Sequence, residues 1–422
     1  MKSILKTILY LLAWLTIRRY KPRVVAITGS VGKTSTKDAI TIVLRTSFSV
    51  RASLGNYNNE LGVPLAIINE ESGGQNPLIW LFIFIKAFFK LFIADYPKIL
   101  ILELGSDRPG DIAYLVKLIG KIDVAVLTDI GISHLEFFAG PTELAKEKLS
   151  LIKKLDRTAL AILNFDNPKV FEGRTQTKAE IAGYGFSQNS QVMISDFQII
   201  QVDGVWGVNF KLHHKGTVVP FFIPNTLGKP TAYAATAAVV TALRFNINLV
   251  ESSEALKRFV PPAGRLRMIP GIKQALIIDD TYNAAPDSTI AGLEALSLIA
   301  SGRRVIALGG MAELGKQTES GHRAVAGKIV ENKIDLVFLV GENAKIIRDE
   351  LSVRKFGGRV QWFETADLAG LSIQESLLPQ DTILVKGSQS SRMEKIVKEI
   401  MADPLRASEL LVRQSDKWLA KI

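Results

Sequence analysis

Strand-like and helix-like segments alternate along this sequence in the manner of an α/β protein, with a mainly parallel sheet in a central unit and a Rossmann-like α/β unit behind it. Three observations carry that reading. Short apolar runs at Val24–Ile27, Ile99–Leu102 and Val124–Leu127 are each followed by polar loop residues, as expected of parallel strands covered on both faces. The first of them enters a glycine-rich turn and then a helical pattern from about Lys33. The run Pro261-Pro262-Ala263-Gly264 interrupts helix and strand patterns alike, as a linker does, and the alternation restarts beyond it.

Taken in order, residues 1–23 form an apolar and basic N-terminal segment, 24–262 the central unit and 263–422 the C-terminal unit. Within the central unit, Val192 to Phe222 alternates as antiparallel strands turning at Gly204 and Gly216, and the alanine-rich stretch Thr231 to Leu243 predicts a closely packed helix. In the C-terminal unit, Ala275–Ile278, Val305–Leu308, Leu336–Val340 and Thr382–Val385 read as strands separated by helices. No internal repeat or low-complexity tract interrupts this pattern.

With 422 residues, 47% of them apolar, the chain can bury two or three ordinary cores. It has no cysteine, which excludes disulfides, thiolate zinc sites and a cysteine nucleophile and fits the cytoplasm. The formal charge of +11 suits a polyanionic substrate or an anionic membrane surface. No nucleic-acid-binding motif is present and the aromatics do not interleave with basic runs, so nucleic acid is not expected as a partner.

Two apolar stretches bear on location. Ile4 to Ile17, followed by Arg18, Arg19, Lys21 and Arg23, is too short for a span of roughly 20 residues and lacks a cleavage site before the strand at Val24. Leu78 to Ile93 carries Lys86 and Lys90 on one helical face opposite a broad apolar one. Two readings fit both stretches. In one they pack on each other as a buried helical pair. In the other they adsorb reversibly to the inner face of the membrane, with the two lysines reaching toward headgroups.

The chemistry centres on Thr28-Gly29-Ser30-Val31-Gly32-Lys33-Thr34, followed by Ser35, between a strand and a helix. Backbone N–H groups of such a loop and the helix N-terminus point at phosphate. Glycines permit close approach, Lys33 supplies charge to the outer phosphates and Thr34 can ligate magnesium. The standard phosphate-loop spacing would place a glycine at Ile27; the strand–loop–helix context nevertheless predicts a nucleoside triphosphate site. Glu103 follows the second strand, and Gly131, Ser133 and His134 follow the third. Parallel strands bring these ends to the same edge as the loop, where a carboxylate and an imidazole are natural partners for magnesium or phosphate.

These residues, with Asn56-Tyr57-Asn58-Asn59-Glu60-Leu61-Gly62-Val63-Pro64, His134-Leu135-Glu136, Gly264-Arg265-Leu266, Asp279 to Ser288, Gly309 to Gly315 and Lys386-Gly387-Ser388, occur in the order found in the Mur ligases. The resemblance spans about Val24 to Ile400 and is nearest to the branch that joins D-alanyl-D-alanine to a muramoyl peptide. It implies a P-loop ATPase domain followed by a C-terminal Rossmann-like domain. It also implies an ATP- and Mg2+-dependent reaction: a carboxylate acceptor attacks the γ-phosphate, and the resulting acyl phosphate is taken by an amine. Lys33 would hold the β/γ-phosphates, Thr34 and Glu103 one magnesium, and His134 a second. Lys148, with Lys146 as a nearby competitor, would be the family's carbamylated lysine. Arg265 would reach the triphosphate from the linker, and Asp280 and Asn283 would contact the nucleotide. Asn58, Asn59, Lys386 and Ser388 would address the substrates, a muramoyl-peptide-like carboxylate and a D-Ala-D-Ala-like amine.

Two departures from the family pattern stand out. Gly228-Lys229-Pro230-Thr231-Ala232-Tyr233-Ala234 replaces the segment in which an asparagine approaches adenine. Only 27 residues precede Thr28, too few for the usual UDP-sugar domain, so the acceptor is expected either to be held by other surfaces or not to be UDP-linked. A folylpolyglutamate- or poly-glutamate-type ligase, a ligase for a lipid-linked acceptor and a non-enzymatic, membrane-associated nucleotide-binding subunit are the competing readings. Retention of Lys33, Thr34, Glu103, His134 and Lys148 argues against the last of these.

Overall fold

The computed structural model describes residues 2–53, 55, 57–93, 95–131 and 135–420. It contains two sheets, whose strands occupy successive stretches of the chain. The first has nine strands: β1 (Arg23–Thr28), β2 (Val50–Ala52), β3 (Ile99–Glu103), β4 (Val124–Leu127), β5 (Leu160–Asn164), β6 (Glu180–Gly185), β7 (Val192–Val202), β8 (Val205–His214) and β9 (Thr217–Pro224), in the order β2-β3-β1-β4-β5-β6-β7-β8-β9. From β2 through β7 neighbours run parallel, with Val25 opposite both Ile101 and Val124; β7, β8 and β9 form an antiparallel meander. Its two turns are Asp203-Gly204 and Lys215-Gly216, each with positive φ at both residues. That backbone matches the twist of the strands, and glycine adopts it without strain.

Strand periodicity splits the core in two. Val24 and Ala26 of β1 face one layer, while Val25 and Ile27 face the other. The first layer is built from α1 (Lys2–Tyr20), α3 (Gly62–Ile68), α4 (Pro77–Ile93), α5 (Asp111–Ile119), α6 (Pro141–Lys153) and the short α7 (Pro168–Gly173). The second layer is α2 (Lys33–Leu44), α8 (Gly228–Arg244) and α9 (Leu249–Leu256). The observed α8 begins three residues before the expected Thr231 and includes Pro230. Proline is tolerated there because first-turn N–H groups have no intrahelical acceptor.

The second sheet comprises β10 (Arg267–Pro270), β11 (Leu276–Asp280), β12 (Arg304–Gly309), β13 (Leu336–Val340), β14 (Arg359–Phe363) and β15 (Thr382–Lys386), ordered β10-β11-β15-β12-β13-β14. Only β10 runs antiparallel to its neighbour, as an edge strand ending in Pro270. The expected strands all appear. The polar strands at the margins, such as β14, escaped the sequence reading because their side chains are only partly covered.

The N-terminal helix is packed. Leu9 and Ala13 are fully buried, and Trp80, Ile83, Ala87 and Leu91 of α4 turn inward in the same layer. The Tyr20 hydroxyl donates to the Lys90 carbonyl at 2.6 Å and the ring stacks on Tyr96, joining the C-terminal ends of α1 and α4. Lys86 and Lys90, which the membrane reading sends toward headgroups, both pair with the nearly buried Glu70. The outer side of α4 is left uncovered by this chain. Among the described residues no helix is long and apolar enough to cross a membrane.

Because α1 is held by one face, Leu9→Ala should destabilise the fold by about 2–5 kcal/mol through the cavity it leaves. Leu11→Ala, at a position 51% exposed, should change stability by less than about 0.5 kcal/mol. Urea unfolding of the two variants measures the difference.

Candidate active site

The loop after β1 is shaped by the strand beside it. A side chain at Gly29 would bring a Cβ within 2.1 Å of Thr128 Oγ1, so only glycine fits against β4's exit. Thr128 Oγ1 donates to the Val31 carbonyl at 2.6 Å, and the Ser30 amide donates to Asp129 O at 2.8 Å. Gly32, at φ 85, caps α2 in the left-handed region, which non-glycine residues reach only at a cost. Lys33 follows as the first helical residue, and its ammonium donates to the loop's own Gly29 carbonyl at 2.7 Å. Burial lowers the Lys33 pKa; the Glu103 carboxylate opposes that shift, and Arg265 adds to it.

Glu103, at the end of β3 and 2% exposed, joins three elements. One carboxylate oxygen accepts from the Thr34 hydroxyl at 2.9 Å and the other from the Asn58 amide at 3.0 Å. Asn58 in turn accepts the Gly105 N–H through its main-chain carbonyl at 2.7 Å. Asn59 lies two residues before the N-cap of α3, its side-chain oxygen accepting from the Gly62 N–H at 2.9 Å. Lys148 of α6 is buried and donates to Ser106 Oγ at 2.7 Å, three residues beyond Glu103. Burial, reinforced by the nearby Lys33 charge, brings the Lys148 pKa down to about 7. Lys146, its sequence competitor, is exposed. His134 lies outside the described residues, as does Asn56.

The C-terminal unit closes the site from above. Buried Asp279 accepts the Gly264 N–H at 3.1 Å and pins the linker, and Arg265 lies over the Tyr282 ring at 4.1 Å. Asp280 accepts from the Leu266 N–H at 3.2 Å and from the Lys386 ammonium at 2.5 Å; Lys386 also donates to the Asn283 carbonyl at 2.9 Å. Lys386 is 2% exposed and its ammonium is committed to these partners. The Glu136 N–H donates to the Glu313 carbonyl across the two units at 3.1 Å.

Between the units lies a cleft of about 760 Å³. It is lined by Ser30 to Thr34, Asn58, Asn59, Glu103 and Lys148 from below, and by Arg265, Asn283 and Ser388 from above. A second cavity of about 230 Å³ opens on the other side of the loop, sharing Val31, Gly32, Arg265 and Ser288 with the cleft. Ser35, Asp280 and Lys386 belong to this second cavity, together with the apolar and aromatic walls of Leu227, Tyr184, Tyr233 and Phe259. Asp129, also in its lining, has its pKa raised to about 6 by burial and by the Asp287 carboxylate across the units. Ser106, Asp107, Glu313, Arg392 and Trp418 line the cleft without having been singled out as site residues. Glu313 sat inside a recognised motif, but Trp418 comes from the C-terminal tail, where the sequence carries no site signal. Among the described residues no three His, Cys, Asp or Glu side chains cluster as a metal site.

Comparison with known proteins agrees with this architecture. The model of the Mur ligase middle domain matches residues 27–79 and 83–242, and that of the Mur ligase glutamate ligase domain matches residues 264–389. A UDP-N-acetylmuramoyl-tripeptide–D-alanyl-D-alanine ligase of Bacillus subtilis is 31% identical over 94% of this chain and 80% of its own length. Among solved structures, MurF from Acinetobacter baumannii superposes with a TM-score of 0.79 at 25% identity, covering 94% of this chain and 80% of that one. The MurF ligase of Thermotoga maritima, solved in complex with ADP, shares the fold at TM-score 0.78 and 23% identity, covering 93% of this chain and 83% of its own. Matches to both domain models, and a relative this similar along nearly the whole chain, place the protein in the Mur ligase family of ATP-dependent peptide ligases.

Proposed function

We propose that this ligase joins a D-Ala-D-Ala-like amine to the carboxylate of a muramoyl-peptide-like cell-wall precursor, using ATP and Mg2+. The observation that carries the reading is the meeting of Lys33, Thr34, Glu103, Lys148 and Arg265 in one cleft between two units, with a second cavity behind the phosphate loop. We take residues 24–262 and 263–422 as the two domains, with 1–23 as a helix docked on the first; the first sheet ends at Pro224 and the second begins at Arg267. The specific substrates come from the names of relatives, among them the Bacillus subtilis ligase.

In this reading the adenine occupies the second cavity between Tyr184, Tyr233 and Phe259, which would replace the asparagine contact of the family pattern. The triphosphate then crosses the Gly29–Gly32 loop. Lys33 leaves the loop carbonyls to meet the outer phosphates, and Arg265 approaches them from the other domain, so both charges act where negative charge develops. The Thr34 hydroxyl and Glu103 carboxylate suit Mg2+, which takes few protein oxygens and completes its shell with phosphate and water. Bound there, the metal would neutralise charge on the transferring phosphoryl group. His134 is proposed for a second metal. Asn58 orients Glu103, Asn59 holds the chain that carries it, and Asn283 and Ser388 face the incoming substrates. Asp280 and Lys386 are proposed as a positioning pair that sets the Asn283 loop, because their charges are spent on each other.

Lys148 is proposed to carry a carbamate. The step needs a neutral amine: its nitrogen adds to the carbon of CO2 and a proton is released. An ordinary lysine near 10.5 is almost wholly protonated at neutral pH, whereas one near 7 is substantially neutral. The resulting anion, beside Ser106 and near Lys33, can accept contacts that an ammonium repels.

Three experiments test this reading. Mass spectrometry of a reaction containing ATP, Mg2+, UDP-MurNAc-tripeptide and D-Ala-D-Ala should show the amide product with equimolar ADP and phosphate. ADP formation with a different acceptor alone would reject the specificity while sparing the ligase chemistry. Lys33→Ala should lower kcat roughly 10²–10³-fold or more with an unchanged unfolding midpoint, and near wild-type turnover would reject the phosphate-loop role. Carbon-13 NMR with labelled bicarbonate should give a carbamate signal that fades as pH falls below about 7. That signal should be missing in Lys148→Ala, whose activity a short carboxylate partly restores.

A further inference from the structure

The outer face of α4 has no role in the ligase chemistry. Leu78, Phe82, Ile85, Phe88, Phe89 and Phe92 point away from the protein and are 48–73% exposed. Their spacing puts them on one side of the helix, opposite the buried Trp80, Ile83, Ala87 and Leu91. Large side chains present roughly 150–250 Å² each when free, so this face offers on the order of 600 Å² of apolar surface. That is the upper end of what monomeric proteins leave in water, and patches of this size mark interaction sites.

We propose that this face is a membrane-docking surface that lies in the headgroup–acyl boundary of an anionic phospholipid bilayer. Charge selects this occupant. Neither α1 nor α4 contains an acidic residue. Arg18, Arg19 and Lys21 are exposed at the end of α1, which the Tyr20–Lys90 hydrogen bond ties to the end of α4. Lys86 and Lys90 flank the apolar face and are neutralised in part by Glu70, so the unpaired attraction comes from the α1 cations. A second copy seated on the same face would offer those cations no acidic partner from its own α1 or α4, whereas an anionic headgroup layer attracts them. At 17 residues α4 is about 26 Å long, and its inner side is committed to the protein core. It therefore fits a helix lying in the interface plane better than one that spans. The inserting element is α4, and α1 serves as its platform and basic flank.

Flotation of the full chain with phosphatidylglycerol–phosphatidylcholine vesicles at low salt tests the proposal. Wild type should float, bind at least tenfold less to pure phosphatidylcholine, and release as NaCl is raised. Phe82→Glu with Phe89→Glu should weaken binding at least tenfold with an unchanged unfolding midpoint, since both positions are exposed. Arg18→Gln with Arg19→Gln should weaken it roughly tenfold and flatten the salt dependence. Wild type remaining in the supernatant overturns the proposal, as does binding indifferent to the phenylalanine pair. A dimer in light scattering that the Phe82/Phe89 variant dissolves, with no vesicle binding, would assign the face to a second copy instead.

Discussion

The geometry of the site depends on one buried carboxylate. Glu103 leaves the sheet at the end of β3, and its two oxygens bind Thr34 of α2 and Asn58 of the segment before α3. A carboxylate this enclosed is tolerable only when its oxygens are satisfied, so the three elements are held in one arrangement. Thr34 fixes the start of α2, which fixes Lys33. Asn58 fixes the chain at Gly105, and one residue further on Ser106 meets Lys148. The loop after β1, the Glu103 carboxylate with its Thr34 and Asn58 partners, and the buried Lys148 therefore share a frame set by the parallel pairing of β1 with β3 and β4.

The C-terminal domain contributes through a comparable pair of acids. Asp279 satisfies the linker at Gly264 and the turn at Thr281, while Asp280 takes Lys386 and the Leu266 N–H. Burial raises the Asp279 pKa to about 6, with the Thr281 hydrogen bonds opposing it. Burial likewise pushes Asp280 up and Lys386 down against their mutual attraction. The Asp280–Lys386 pair is thus a fixed element rather than a free charge, and Arg265, one residue from each of the anchored positions Gly264 and Leu266, inherits its position. This arrangement lets a linker residue line both cavities.

The N-terminal helices show how one sequence pattern can satisfy two physical demands. α1 and α4 cover one layer of the sheet and join its core, and α4 then presents a second apolar face outward. Its lysines do not separate protein from solvent; they fold onto Glu70 at the border between the two faces. An apolar helix docked in this way is stable within the chain by its inner side alone, which leaves the outer side available for another surface.

Much of this was legible in the sequence. Central strands such as Val24–Ile27 and Leu336–Val340 announced themselves as unbroken apolar runs, because both faces of a parallel strand are covered. Gly29 and Gly32 stood out because a tight strand-to-helix turn demands glycine, and the close approach of Thr128 to Gly29 and the left-handed φ of Gly32 show that demand. Gly204 and Gly216 were readable as turns because glycine accepts the left-handed backbone that tight hairpins need. What the sequence could not separate was Lys148 from Lys146, or a packed apolar helix from an interfacial one. Those distinctions depend on burial, which is set by which face of α6 or α4 meets the sheet. Nor could it place Lys386 on Asp280 at a sequence separation of 106, or bring Tyr184, Tyr233 and Phe259 to one cavity. Such meetings arise from strand order and helix packing, and only the tertiary structure decides them, because no local pattern records which distant residue supplies the partner.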